Sequence, residues 1–225
     1  MIKLDGNKVF LCGYDGFIFD FDGVIAETET LKANAYYDAI KHFCGVEVNR
    51  FDMSWAGKKE DEIAAYFNDT YNLCIEVRDY CQLIEQKRLL YQRIIAEQEV
   101  CLVKNVECFL RRLKSMRKHI AVASMSTHRE VEMILARKGI TCLIDEIVCG
   151  EDVVKPKPDP EVYIAAIEKI RKSSGACVAF EDSAVGMQAA VSAGLETILV
   201  RHEYNQGFKD TEVCEIADFG DVIVE

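Results

Sequence analysis

Two aspartates near the start of this 225-residue chain, Asp20 and Asp22, are the residues best placed by type and spacing to do chemistry. They follow the apolar residues 17–19, which predict a buried strand, and Gly23 comes next. Because side chains alternate along a strand, residues two apart project from the same face. Two like charges held this close need a cation or a shared proton. The pair therefore indicates either a hard metal such as Mg²⁺ or a nucleophile beside an acid/base.

An Asp-x-Asp-Gly run can also mark a solvated turn or open a calcium-binding loop. The calcium loop needs further oxygen ligands at alternate positions and a Glu at its twelfth position. Counted from Asp20, the fifth residue is Val24 and the twelfth is Leu31. The calcium loop is therefore excluded.

The rest of the chain predicts the elements that must position these carboxylates. Short apolar runs alternate with helical patterns, which is typical of α/β proteins, and the runs are apolar enough to be buried on both faces of a parallel sheet. The predicted strands cover residues 17–21, 119–123, 145–149, 177–181 and 196–200, and the predicted helices cover 128–138, 160–171 and 184–193. The predicted fold is a Rossmann-like parallel sheet with helices on both faces.

A long helical stretch separates the first predicted strand from the second. Helical patterns lie near residues 32–43, 59–68 and 76–98, and no convincing strand lies among them. The simplest explanation is a helical domain inserted after the first strand. The predicted domains are an α/β core, residues 1–30 and 103–225, and a helical insert, residues 31–102.

The composition of the chain limits the classes of partner that we expect it to bind. Half of the residues are hydrophobic, which allows a sizeable core, and the formal net charge is −11. Such a chain is not expected to bind nucleic acid, because no basic patch stands out to contact phosphates. No segment approaches the roughly 20 apolar residues that span a bilayer, and the N-terminus lacks the apolar core of a signal peptide. We therefore expect a cytoplasmic monomer without a membrane partner.

The ten cysteines are many for a chain of this kind. No Cys-x-x-Cys pair occurs, so neither a zinc site nor a thioredoxin-type motif is supported. Most of the cysteines have apolar neighbours in the sequence. We expect them to be reduced and mostly buried, as small hydrophobic residues.

Further polar residues follow other predicted strands, at the edge where open α/β sheets bind ligands. Ser124 ends the second strand, and its hydroxyl and the backbone N–H groups beyond it suit a phosphate. All three prolines lie within residues 156–160, so Lys155 belongs to a stiff loop at this edge, whereas Lys157 is interpreted as a surface charge. Glu181 and Asp182 end another strand. Such a set indicates Mg²⁺-assisted phosphoryl transfer.

Taken together, these motifs resemble the haloacid dehalogenase superfamily, specifically the branch with a helical cap inserted after the first strand. Phosphoglycolate phosphatases, sugar phosphatases and β-phosphoglucomutases belong to that branch. The resemblance covers nearly the whole chain. It rests on Asp20-Phe21-Asp22-Gly23-Val24, Ser124, Lys155-Pro156 and the run from Glu181 to Ala190, which occur in the family's order.

The resemblance implies a role for each motif residue. Asp20 would attack phosphorus and form an aspartyl-phosphate, and Asp22 would protonate the leaving oxygen and then deprotonate the attacking water. Mg²⁺ would be held by Asp20, by the backbone carbonyl of Asp22 and by Asp182, with Glu181 a further ligand or an outer partner. Ser124 would bind the phosphoryl group. Lys155 would balance the negative charge and orient Asp20.

The expected activity is therefore that of a Mg²⁺-dependent phosphatase acting on a small phosphorylated metabolite, such as a sugar phosphate. A phosphomutase is the first alternative, although Lys32 stands where β-phosphoglucomutases keep a His, and Ser54 stands where mutases place an Arg. A catalytically idle binding protein on the same fold is the second. Gly57, Lys58 and Lys59 of the insert are candidates to contact the substrate, with a solvated helix start as the alternative for the two lysines.

Overall fold

The computed structural model describes residues 1–6, 8–48, 60–206 and 214–225. These residues form two compact units. The first combines Met1–Glu27 with Cys101–Glu225, and the second is Thr28–Val100.

The first unit contains two sheets and four of the described helices. Its strands are β1 (Ile2–Asp5), β2 (Lys8–Leu11), β3 (Gly16–Phe19), β4 (His119–Ala123), β5 (Glu146–Val148), β6 (Cys177–Glu181), β7 (Glu196–Val200), β8 (Cys214–Ile216) and β9 (Val222–Val224). The helices of the whole chain are α1 (Glu29–Cys44), α2 (Glu60–Tyr71), α3 (Tyr80–Glu97), α4 (Val106–Ser115), α5 (His128–Lys138), α6 (Glu161–Lys169) and α7 (Ala184–Ser192). None of the helices within the described ranges is long and apolar enough to cross a membrane.

The larger sheet is parallel throughout, in the order β5-β4-β3-β6-β7-β8. This confirms the predicted α/β fold class. Strand β3 lies between β4 and β6, and all four of its residues are buried, as expected for a central parallel strand covered on both faces. The N-terminal residues form the hairpin β1–β2, which pairs with β9 in a small second sheet.

The two faces of β3 pack against different kinds of side chain. On one face Ile18 contacts a cluster of small and aliphatic residues that includes Ala166 of α6 and Ala190 of α7. On the other face Phe17 and Phe19 contact the ring of Phe109 from α4, each with ring centroids 6.2 Å apart. The alternation of a strand therefore explains why β3 can be apolar on both sides and still pack tightly.

The second unit is helical and has its own apolar core. Buried side chains of α1, α2 and α3, including Tyr36, Phe67 and Leu83, form one cluster. Lys87 of α3 is buried beside it, donates to Glu60 Oε1 at 3.0 Å and lies 4.8 Å from the ring centroid of Tyr36. Burial raises the pKa of Glu60, but Lys87 and Arg88 outweigh that effect and lower it overall.

All ten cysteines are free thiols. The expectation that most of them are buried is wrong, because only Cys149 and Cys177 are buried. Five are exposed, namely Cys74, Cys81, Cys101, Cys108 and Cys142. Apolar sequence neighbours mislead here because adjacent residues of a helix or turn point in different directions.

Phe109 should be a principal stabilising residue of the first unit, because its ring also contacts Phe180 and Phe219, with centroids at 5.7 and 5.4 Å. Replacement by Ala leaves a cavity, and we expect Phe109→Ala to lower the free energy of unfolding by about 3–5 kcal/mol. Urea denaturation of the intact chain would measure this. Cys108→Ala, at the exposed neighbouring position of the same helix, is the control and should change stability by less than about 0.5 kcal/mol. Equal effects of the two substitutions would contradict the packing role.

Candidate active site

Strand register places the candidate residues of three neighbouring strands at one level. Phe19 pairs with Val122 of β4 and with Phe180 of β6, so the next residue, Asp20, lies beside Ala123 and Glu181. The backbone N–H of Asp20 donates to the carbonyl of Phe180 at 2.9 Å, which extends the ladder by one step. Asp20, Asp22, Ser124, Glu181 and Asp182 are all buried although polar. They gather at the carboxyl edge of the sheet because parallel strands all end there.

Lys157 is the cation of this cluster. Its Nζ donates to Asp20 Oδ1 at 2.9 Å, to Glu181 Oε1 at 2.6 Å and to the backbone carbonyl of Ala123 at 3.0 Å. The ammonium lies 4.9 Å from the ring centroid of Tyr163 in α6. Burial lowers the pKa of Lys157, but the two carboxylates raise it well above its ordinary value, so the side chain stays charged.

The prediction that Lys155 orients Asp20 is wrong, because Lys157 and not Lys155 contacts Asp20. The side chain of Lys155 is 70% exposed and pairs with Asp159 at 3.5 Å. Its backbone N–H donates to the carboxylate of Glu161, which holds the residue on the outside of the loop. A turn closed by the N–H of Asp159 and the carbonyl of Pro156 carries the chain inward, so that Lys157 reaches the cluster.

The interpretation of Lys157 as a surface charge is wrong for the same reason. Each lysine precedes a proline, and the two lie only two residues apart, so the local sequence gives nearly the same signal for both. The feature that distinguishes the inward lysine from the exposed one is the packing of α6, the helix that follows both. Tyr163 lies on the buried face of α6 and its hydroxyl donates to Glu181 Oε1 at 2.7 Å, which places the start of the helix, and the lysine before it, against the cluster.

Glu181 is fully occupied by protein donors. Its Oε1 accepts from Lys157 and Tyr163, and its Oε2 accepts from the backbone N–H groups of Asp182 and Ser183 and from the Ser183 hydroxyl. A carboxylate offers about four lone-pair sites, and these five donors already use them all, so none is left over for a metal. Gly186 makes this burial possible, because a Cβ there would lie 1.9 Å from Glu181 Oε1. Of the two predicted roles for Glu181, the arrangement favours that of an outer partner.

Asp182 faces Gly23 across the edge of the sheet. Gly23 has a φ of +74°, and a Cβ on it would lie 2.1 Å from Asp182 Oδ2, so only glycine fits between the two strand ends. The same oxygen of Asp182 accepts from the hydroxyl of Tyr204 at 2.6 Å. Tyr204 was not a candidate from the sequence, since it lies beyond β7 in a segment without a recognisable motif.

Asp22 contacts hydroxyl groups rather than Lys157. Ser126 Oγ donates to Asp22 Oδ2 at 2.5 Å, and Ser124 Oγ lies 3.5 Å from the same oxygen. Ser124 thus lies in the cluster as expected, and Ser126 is an additional residue that the sequence reasoning missed. These contacts hold the carboxyl group of Asp22 through its Oδ2.

The expectation that the backbone N–H groups beyond Ser124 are available to a phosphate is wrong for those of Ser126, Thr127 and His128. The N–H of Ser126 donates to Ser124 Oγ, that of Thr127 to Glu130 and that of His128 to Glu151. Thr127 and Glu130 form a capping box at the start of α5. These three N–H groups are therefore used within the protein.

The charges of the cluster suit a divalent cation. Carboxylate oxygens of Asp20, Glu181 and Asp182 lie within 4.8 Å of one another, and this is the one such group among the described residues. Within the part of the chain that the structure describes, Lys157 is the one lysine whose ammonium binds these carboxylates. Burial raises the pKa of Asp20, Lys157 lowers it, and Glu181 and Asp22 raise it, with a net value of about 7. Hard oxygen ligands with surplus negative charge are the environment that Mg²⁺ prefers.

The remaining candidates, Gly57, Lys58 and Lys59, lie outside the described residues. Their predicted contact with a substrate stays a prediction.

Comparison with known proteins identifies similar chains. The family described as "Haloacid dehalogenase-like hydrolase" matches residues 17–200. Protein CbbY of Rhodobacter capsulatus is 28% identical over 204 residues, which cover 84% of this chain and 86% of that protein. A phosphorylated carbohydrates phosphatase of Thermotoga maritima is 29% identical over 195 residues, covering 86% and 88%. The crystal structure of a β-phosphoglucomutase from Clostridium difficile has the same fold, with a TM-score of 0.74, 22% identity and 92% of each chain covered.

Substitution of the two loop lysines should separate their roles. Lys157→Met leaves Asp20 and Glu181 without their cation, and breaking a buried ion pair in this way costs about 3–5 kcal/mol of stability. Lys155→Met removes an exposed charge and should change stability by less than about 0.5 kcal/mol. Urea denaturation without added metal would measure both. Similar values for the two variants would show that Lys157 does not neutralise the cluster.

Proposed function

The chain belongs to the haloacid dehalogenase-like hydrolases, and we propose that it is a Mg²⁺-dependent phosphatase that acts on a small phosphorylated sugar through an aspartyl-phosphate on Asp20. The family and its phosphatase-named relatives make the chain a phosphoric monoester hydrolase. The observation that carries the finer proposal is one buried cluster in which Lys157 binds Asp20 while Asp22 lies beside hydroxyl groups.

Asp20 is the proposed nucleophile. Lys157 holds Asp20 Oδ1, which orients the carboxylate so that Oδ2 attacks the phosphorus. The new bond joins Asp20 to phosphorus, and the bond from phosphorus to the sugar oxygen breaks. Fixing both groups before reaction removes much of the entropic cost of bringing them together.

Asp22 is the proposed acid and base. In its protonated form it gives a proton to the leaving sugar oxygen, which would otherwise depart as an unstable alkoxide. Water then attacks the phosphorus of the aspartyl-phosphate while Asp22 takes a proton from that water. The bond from phosphorus to Asp20 breaks, which releases inorganic phosphate and restores the Asp20 carboxylate. The hydroxyls of Ser126 and Ser124 hold Asp22 for both steps, and Ser124 is also a proposed ligand of the phosphoryl group.

Asp20 and Asp182 are the proposed side-chain ligands of Mg²⁺, together with the backbone carbonyl of Asp22. When bound, the ion neutralises charge on the phosphoryl oxygens. Glu181 is the proposed outer partner of the metal site, which binds Lys157 and not the ion, because its carboxylate already accepts from five protein donors. Lys157 supplies the second cation of the site, and its burial strengthens its interaction with the developing negative charge.

The substrate class rests on the relative that is named a phosphorylated carbohydrates phosphatase. Selection among sugar phosphates is proposed to be the role of the inserted helical unit, with Gly57, Lys58 and Lys59 as candidate contacts.

A phosphomutase remains the alternative. A β-phosphoglucomutase has the same fold, so the fold does not separate the two activities. Lys32 and Ser54 disfavour a mutase, as noted above, and Lys32 is paired with Glu29 at 3.3 Å. A hexose 1-phosphate assay primed with a bisphosphate distinguishes them, because a mutase forms the 6-phosphate whereas a phosphatase releases phosphate.

Asp20→Asn tests the nucleophile. An amide cannot form the aspartyl-phosphate, so we expect Mg²⁺-dependent phosphate release from a panel of sugar phosphates to fall by about 10³-fold or more. Asp5→Asn makes the same chemical change at an exposed position and should retain full activity. Full Mg²⁺-dependent turnover by Asp20→Asn would exclude the mechanism.

Asp22→Asn tests the acid. Loss of a general acid should slow hydrolysis of a sugar phosphate by about 10²–10⁴-fold. p-Nitrophenyl phosphate has a leaving group that needs no proton, so formation of the phosphoenzyme from it should be far less affected. A burst of p-nitrophenol measured by stopped flow reports that step alone. An equal loss with both substrates would argue that Asp22 acts otherwise.

A further inference from the structure

The segment that follows β7 reaches back to the carboxylate cluster. Tyr204 donates its hydroxyl hydrogen to Asp182 Oδ2 at 2.6 Å. This oxygen lies against Gly23, at the place where a Cβ would collide with both the carboxylate and the Tyr204 hydroxyl. Asp182 is therefore held between Tyr204 and the backbone that carries Asp22.

Asn205 fixes the main chain of the same region. Its side-chain amide donates to the backbone carbonyls of Asp182 and Val200, both at 2.8 Å, and its Oδ1 accepts from the N–H of His202 at 2.9 Å. These bonds use both hydrogens of the amide and tie the end of β6 to the end of β7. The position of Tyr204, one residue earlier, is thereby fixed relative to Asp182.

His202 completes the arrangement. Its ring stacks on that of Tyr204, with centroids 4.9 Å apart and planes 5° apart. Its Nε2 lies 2.5 Å from the carbonyl oxygen of Gly23. Because a carbonyl can only accept, Nε2 carries the hydrogen of this contact. The stacked pair thus holds the Tyr204 hydroxyl at one end and the Gly23 backbone at the other.

We infer that Tyr204 is a positioning residue for the metal ligand Asp182, and that Asn205 and His202 support it. The inference rests on the proposed Mg²⁺ site. Tyr204 holds one carboxylate oxygen of Asp182 at 2.6 Å, and this contact fixes the orientation in which the carboxylate would bind the cation. Partners of this kind, which bind a ligand rather than the metal, contribute about 10–100-fold to metal affinity.

Tyr204→Phe is the direct test, because it keeps the aromatic stack and removes only the hydroxyl. Binding of Mn²⁺, a paramagnetic substitute for Mg²⁺, would be measured by electron paramagnetic resonance without substrate. We expect the Kd of Tyr204→Phe to rise about 10-fold, and that of Asn205→Ala to rise as well. Tyr14→Phe removes a buried hydroxyl before the opposite end of β3 and should leave the Kd unchanged.

A kinetic measurement separates positioning from a general loss of structure. The Mg²⁺ concentration for half-maximal phosphate release should rise in Tyr204→Phe, whereas kcat at saturating Mg²⁺ should stay close to that of the wild type. An unchanged Mn²⁺ Kd in Tyr204→Phe, with binding lost in Asp182→Asn, would overturn the inference and leave the proposed function standing. Undiminished binding by Asp182→Asn would overturn the proposed metal site and the inference with it.

Discussion

The contact between one buried ammonium and the carboxylates around it is the interaction on which the site depends. Lys157 binds Asp20, Glu181 and the carbonyl of Ala123, which belong to the ends of three adjacent strands. Desolvating such charges is favourable only when each finds a partner of opposite sign and good geometry. The register of β3, β4 and β6 supplies that geometry, and the turn at Pro156–Asp159 brings the lysine to it.

Oriented hydrogen-bond donors stabilise the negative charge that Lys157 does not balance. Hydroxyls of Ser126 and Tyr204 bind Asp22 and Asp182, and backbone N–H groups bind Glu181. Gly23 and Gly186 let carboxylates approach the main chain where a side chain would collide with them. The donors fix the carboxylates in place but carry no full charge, and so a divalent cation remains the natural complement of the site.

Strand β3, which leads into the site, is held rigidly by its packing. Small and aliphatic residues cover one face of this strand and phenylalanine rings cover the other, so the strand is fixed from both sides. Asp20, the proposed nucleophile, lies one residue beyond this strand and therefore has little freedom to move. Precise placement of reacting groups is the main contribution that a protein makes to phosphoryl transfer.

The sequence by itself determined the α/β class and the gathering of Asp20, Asp22, Ser124, Glu181 and Asp182, because apolar runs mark buried strands and parallel strands end at one edge. It could not choose between Lys155 and Lys157, since two Lys-Pro pairs give the same local signal and only the turn and the packing of Tyr163 decide which lysine faces inward. It gave no sign of Tyr204 either. That residue reaches Asp182 only because β7 lies beside β6, and contacts between neighbouring strands that are distant in the chain are set by tertiary structure alone.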